Sequence, residues 1–138
     1  MIPRGIRNKN PGNIRYGRSV WRGEIKGADP SFIVFASMPY GIRAIALLLL
    51  HYQRRLGLNT VKDIIGRWAP AVENNTPAYV FHVCKELHIG TDQPIKLSDP
   101  ATLSAIVRAI ILHENGTLAG VSDIDIAQGV NLALYDRV

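Results

Sequence analysis

Between Phe35 and Tyr40 the apolar residues of this chain change period, and that change constrains the fold more than any other feature. Beyond it they recur at three-to-four spacing, the repeat of one helix face; before it they do not. Ile42, Ile45, Ala46, Leu49, Tyr52 and Leu56 define one helix, which Gly57 ends. Thr60 ahead of Val61-Lys62-Asp63 resembles a capping box with Asp in place of Glu, and opens a short helix to about Trp68 that Pro70 stops. Thr76-Pro77 reads as an N-cap followed by a proline in the first turn, starting a helix to about His88. Ser98-Asp99-Pro100 repeats that grammar for a helix to Asn115, with Gly116 as its C-cap, and a last helix runs from Ser122-Asp123 to about Asp136. The first 30 residues read as irregular, with dense turn chemistry at Asn10-Pro11-Gly12-Asn13. Phe32-Ile33-Val34-Phe35 is a short strand expected to pair near Val20 to Ile25. The expected fold is mainly α (α+β): one domain over residues 1–138, of about five helices with a small N-terminal β element.

Composition narrows the function. With 47% apolar and 20% charged residues, the 138-residue chain can build a real core. The single cysteine, Cys84, excludes an intrachain disulfide and sits in an apolar helical stretch, where it reads as a small buried hydrophobe. One Cys and four His make a poor structural zinc set, and neither a metal nor a cofactor is expected. The longest apolar run, Ala44 to Leu50, is far below the ~20 residues of a membrane span, so no membrane insertion is expected. Met1-Ile2-Pro3-Arg4-Gly5 does not open like a signal peptide, so synthesis in the cytoplasm is expected, with other means of reaching any site outside it. The formal charge of +5 is concentrated: residues 1–27 carry Arg4, Arg7, Lys9, Arg15, Arg18, Arg22 and Lys26 against Glu24, a net of +6, and the rest of the chain a net of −1. Such a segment suits an anionic partner, whether cell-wall polymer, membrane surface or nucleic acid; a solvated surface with no partner is the plainer alternative.

The chemistry concentrates at the end of the fourth long helix. Leu103, Val107 and Ile110 form an apolar stripe flanked by Ile106 and Ile111, and its next step is Glu114. A carboxylate on the core-facing side of a last turn is disfavoured as an anion twice, by burial and by the negative end of the helix dipole. Both effects favour the protonated form that a general acid needs, whereas fraying would turn the side chain into solvent. His113-Glu114 is not a zinc-protease motif, because position 117 is Thr where the second His belongs. Glu73-Asn74-Asn75-Thr76, just after Trp68-Ala69-Pro70, offers an acid, two amides and a hydroxyl beside an indole, a suitable lining for an N-acetylated sugar. The same Asn74, Asn75 and Thr76 also suit turns and caps. Tyr40, Tyr79 and Trp21 fit stacking platforms or core members equally, and His51, His82 and His88 read as core or surface residues without fixed partners.

These segments together resemble small phage and prophage lysozyme-like virion proteins. The resemblance rests on Arg4-Gly5-Ile6-Arg7-Asn8, Asn10-Pro11-Gly12-Asn13-Ile14-Arg15, Trp21-Arg22-Gly23, Phe32 to Phe35, Gly41-Ile42-Arg43-Ala44, Trp68-Ala69-Pro70 with Glu73-Asn74-Asn75-Thr76, and His113-Glu114-Asn115-Gly116. More distantly, Ala109 to Gly116 resembles the acid-bearing helix of bacterial glucosaminidases and goose-type lysozymes, with the order of segments permuted and Asn115 where those proteins carry Ser. The resemblance implies a lysozyme-like domain that cleaves the glycan strands of peptidoglycan, as a muramidase or lytic transglycosylase, with Glu114 as general acid. Glu73 is the candidate second carboxylate, and Asn74, Asn75, Tyr79, Asn13 and Tyr40 are the candidate substrate-binding residues. Bacterial peptidoglycan is the implied partner, reached as a virion component or by secretion, with virion or secretion machinery as further partners; nucleic acid is not the expected one. The alternative is a non-catalytic virion or wall-binding protein on the same scaffold.

Overall fold

The computed structural model describes residues 1–135. The elements run α1 (Arg4–Arg7), β1 (Glu24–Ile25), β2 (Val34–Phe35), α2 (Met38–Leu56), α3 (Val61–Trp68), α4 (Thr76–Leu87), α5 (Pro100–Asn115) and α6 (Asp123–Tyr135). The protein is a mainly helical α+β domain with a small antiparallel sheet near its N-terminus, in which Glu24 pairs with Phe35 and Ile25 with Val34. The five long helices match the periodic segments, though α2 starts two residues before Tyr40. The end of the last helix near Asp136 lies outside the described residues.

Helix ends follow the capping chemistry closely. Thr60 Oγ1 accepts from the Asp63 amide at 3.2 Å, and Asp99 Oδ1 from the Ala101 amide at 3.2 Å. Gly57 and Gly116 close α2 and α5 at φ 70° and 71°, in the left-handed region that favours glycine. One cap is displaced from expectation. Asn75, not Thr76, caps α4, with its Oδ1 accepting from the Ala78 amide. Thr76 is the first helical residue, and its hydroxyl donates to the Ala69 carbonyl at 2.6 Å, tying α4 to the end of α3.

α2 crosses the middle of the molecule and packs along α6, while α5 packs against α4 and α6. Ile42, Ile45 and Leu49 of α2, Ile64 and Ile65 of α3, Val83 of α4 and Leu103, Ile106, Val107 and Ile110 of α5 are fully buried in one continuous core. At about 1.5–3 kcal/mol for each such side chain, burial is the main stabilising term. Cys84 is buried in the same core.

The N-terminal region is more ordered than turn chemistry suggests, and the expectation of an irregular segment 1–30 is corrected by α1. That single turn forms because the Pro3 carbonyl accepts from the Arg7 amide, and the Asn10 amide then donates back to the Gly5 carbonyl. Asn10 is completely buried: its Nδ2 donates to the Ile14 and Ile33 carbonyls, and its Oδ1 accepts from the Ile14 amide. One side-chain amide thereby stands in for missing strand pairing and fixes the loop that carries Asn13. Gly41 allows this loop to lie on α2, since a Cβ there would collide with the Lys9 carbonyl.

A candidate active-site cleft

A cleft of about 500 Å³ opens between the N-terminal region and the helices. One wall is Asn13, Ile14 and Arg15 with Phe32, and the opposite wall is Trp68 and Ala69 from the end of α3 with Glu73 and Asn74 beyond it. Leu48 and Tyr52 of α2 line it between them, and Glu114, in the last turn of α5, faces into it. Gly12 lets the two walls approach, because a Cβ there would lie 2.7 Å from Ile45 and 3.0 Å from the Trp68 indole.

Glu114 is half-buried and held at both oxygens. Tyr79 donates its phenol proton to Oε2 at 2.8 Å, and Asn13 donates from Nδ2 to Oε1 at 3.2 Å. The Tyr79 oxygen in turn accepts from the Trp68 indole N–H at 3.0 Å. Burial first, then the adjacent Glu114 carboxylate, pushes the Tyr79 phenol far above its ordinary range, so it remains a donor at every working pH. The burial and helix-dipole penalties expected for a carboxylate at this position are therefore met by two donors aimed at it.

Behind the acid, the His113 ring stacks on Tyr79 with centroids 3.7 Å apart and planes 26° apart, and its Nδ1 shares a 2.9 Å hydrogen bond with His82 Nδ1. Burial, then the neighbouring His82, holds His113 below its ordinary value. The expectation that His82 has no fixed partner is thus corrected: packing of α4 on α5 brings the two rings together, centroids 5.1 Å apart and tilted by 47°, a pairing invisible along either helix alone. Asn115, beside the acid, donates from Nδ2 to the Ile111 and Pro11 carbonyls, both at 2.9 Å. The oxygens of Asn13 and Asn115 both point at Gly5, where a Cβ would lie 2.8 and 2.6 Å from them.

The expected site residues are divided by the fold. Glu114, Asn13, Glu73 and Asn74 share the cleft, with Glu73 exposed at its rim and Asn74 Nδ2 donating to the Pro70 carbonyl. Tyr79 is 1% exposed, so it braces the acid and presents no face to a sugar. Asn75 is spent on the cap of α4 and does not line the cleft. Tyr40 lines a separate surface hollow with Pro39, Asn131 and Leu132, and Trp21 packs on the small cluster of Ile33, Phe35 and Ala44. The Trp68–Tyr79–Glu114 chain was not legible beforehand, because the three residues come from three helices and none stands out by spacing.

The geometry is that of a mainly helical domain with one braced acid at the floor of a polar cleft. No protein-family model matches the chain. It is 38% identical over 136 residues to Protein P5 of Pseudoalteromonas phage PM2, spanning 96% of this chain and 82% of that protein. The chain belongs to the family of that phage protein.

Proposed function

We propose that this protein cleaves the glycan strands of bacterial peptidoglycan, with Glu114 as the general acid. The observation that carries this reading is the bracing of Glu114 by Tyr79 and Asn13 at the floor of a cleft roomy enough for sugar rings. Protonated, Glu114 gives its proton to the glycosidic oxygen as the bond to the anomeric carbon breaks. The carboxylate left behind is then stabilised by two donors already in position, which need not reorganise as charge develops. The anomeric cation is met by Glu73 acting as the second carboxylate, or by the acetamido group of the substrate itself; water or the muramic C6 hydroxyl then adds to the anomeric carbon and gives its proton back to Glu114. The lysozyme-like resemblance supplies the substrate class, and kinship with a phage protein is in keeping with it. The basic N-terminal region would hold the protein on the anionic wall.

The test is mass spectrometry of purified peptidoglycan digested in parallel by wild type and Glu114→Gln. Gln keeps the shape of the side chain and cannot deliver the proton, so products are expected from wild type alone. Anhydro-muramic ends would identify a lytic transglycosylase, and reducing muramic ends a muramidase. Equal digestion by the variant would remove Glu114 from the chemistry, and no digestion by either would leave a wall-binding scaffold.

A further inference from the structure

Arg15 is the one cation among the cleft-lining residues, which otherwise include the acids Glu73 and Glu114. Its backbone is fixed by an isolated antiparallel bridge to Phe32. Its guanidinium lies over the Phe32 ring, 4.6 Å from the centroid, and Arg4 approaches the same ring at 5.1 Å. The two arginines differ in what neutralises them. Arg4 pairs with Asp29 at 3.4 Å. Asp29 is otherwise fully engaged: Oδ1 accepts from the Ser31 and Phe32 amides, and Oδ2 from Asn8 Nδ2. Those donors, the two backbone amides first, hold its carboxyl down at about 2. Asp29 thus has nothing to offer Arg15, and among the described residues Arg15 makes no ion pair with any carboxylate.

Arg15 is exposed with its guanidinium carbon over the Phe32 ring, so the ring limits the orientations that the side chain can adopt while its N–H groups stay open to a ligand in the cleft. The guanidinium fork fits a planar carboxylate bidentately. We infer that Arg15 recognises a carboxylate carried by the glycan, which makes the cleft selective for acid-bearing strands over neutral N-acetylglucosamine polymers. This inference rests on the proposed glycan substrate and assigns its chemical class. The carboxylate has two possible sources on a wall strand: the lactyl group of a muramic residue freed of peptide, or the acid groups of an attached stem peptide. Both present the same chemistry to Arg15.

The experiment is equilibrium binding followed by Trp fluorescence, since Trp68 lines the cleft. It uses the Glu114→Gln form, with Arg15 intact or changed to Gln or Lys, so that no ligand is consumed. The ligands are N-acetylglucosamine hexamer, peptide-free wall glycan with bare lactyl acids, and glycan bearing stem peptides. With Arg15 intact, acid-bearing strands bind more tightly than the hexamer, and Arg15→Gln lowers that preference about ten- to a hundredfold, the effect of losing one charge-assisted hydrogen-bonded pair. Arg15→Lys retains part of the preference, because it keeps the charge and loses the fork. Loss on the peptide-free strand identifies the lactyl acid, and loss confined to the peptide-bearing strand identifies the stem peptide. An unchanged preference, or an equal loss on all three ligands, overturns the inference. The outcome is independent of cleavage: a wild type that releases no products would refute the catalytic reading and leave this binding test intact.

Discussion

At the scale of single residues, the site is a carboxylate whose two oxygens have different neighbours. Oε2 faces a phenol that is itself pinned by an indole, and Oε1 faces the longer bond from Asn13. Tyr79→Phe removes the shorter bond and leaves the Trp68 N–H without its acceptor. It is expected to lower kcat about ten- to a hundredfold with little change in KM, and to cost about 1 kcal/mol of stability. Steady-state kinetics on soluble glycan and urea unfolding check the two effects separately. Glu114→Gln, by contrast, is expected to abolish turnover while keeping the fold and the cleft, which circular dichroism and strand binding together would verify. The inward placement of Glu114 was legible in the sequence, because it continues an apolar stripe, and the structure has it half-buried and lining the cleft where fraying would have turned it into solvent. Its partners were not: hydrogen bonds spanning 35 and 101 residues of chain leave no local pattern.

Among the elements, the packing of α2 on α6 and of α4 on α5 determines how the cleft is held. Gly129 of α6 sits against α2, where an added Cβ would strike Ile42 and come within 2.8 Å of the Pro39 carbonyl. Gly129→Ala is therefore expected to destabilise by about 1–3 kcal/mol despite its favourable helix propensity, as read by thermal or urea unfolding. The seam between α4 and α5 carries the histidine pair. Because the folded state holds His113 below its ordinary value, its stabilising contribution is complete above about pH 6.5, where the unfolded ring is neutral. It is lost as pH falls through the lower value of the folded ring. Tm should accordingly drop on acidification from neutral pH, and His113→Phe, which keeps a ring on Tyr79 and removes the titration, should flatten that slope. Helix positions were readable because caps and the 3.6 period are local signals. The single turn at Arg4–Arg7 was not, since it is held by a carbonyl pairing with Asn10 and by close packing at Gly5, neither of which has a sequence period.

For the whole molecule, charge is divided along the chain: net +6 lies in residues 1–27. Arg4, Arg15 and Arg22 are drawn onto aromatic rings, while Arg7, Arg18 and Lys26 are exposed. Retention on insoluble wall sacculi should fall as salt is raised past the ~10 Å screening regime of 0.1 M. Changing Arg7, Arg18 and Lys26 together to Gln should lower retention at low salt and make it less salt-dependent, measured by sedimentation of sacculi with bound protein. The same N-terminal region also supplies Asn13 to Glu114 and the Pro11 carbonyl to Asn115. The two ends of the chain must therefore meet before the acid acquires its brace. A nascent chain emerging from the ribosome carries Asn13 early and Glu114 late, so the carboxylate gains this donor only after residue 114 has emerged. A protease that cuts between Asn13 and Tyr79 and lets the N-terminal piece leave would strip one of the two donors from Glu114 and keep the other.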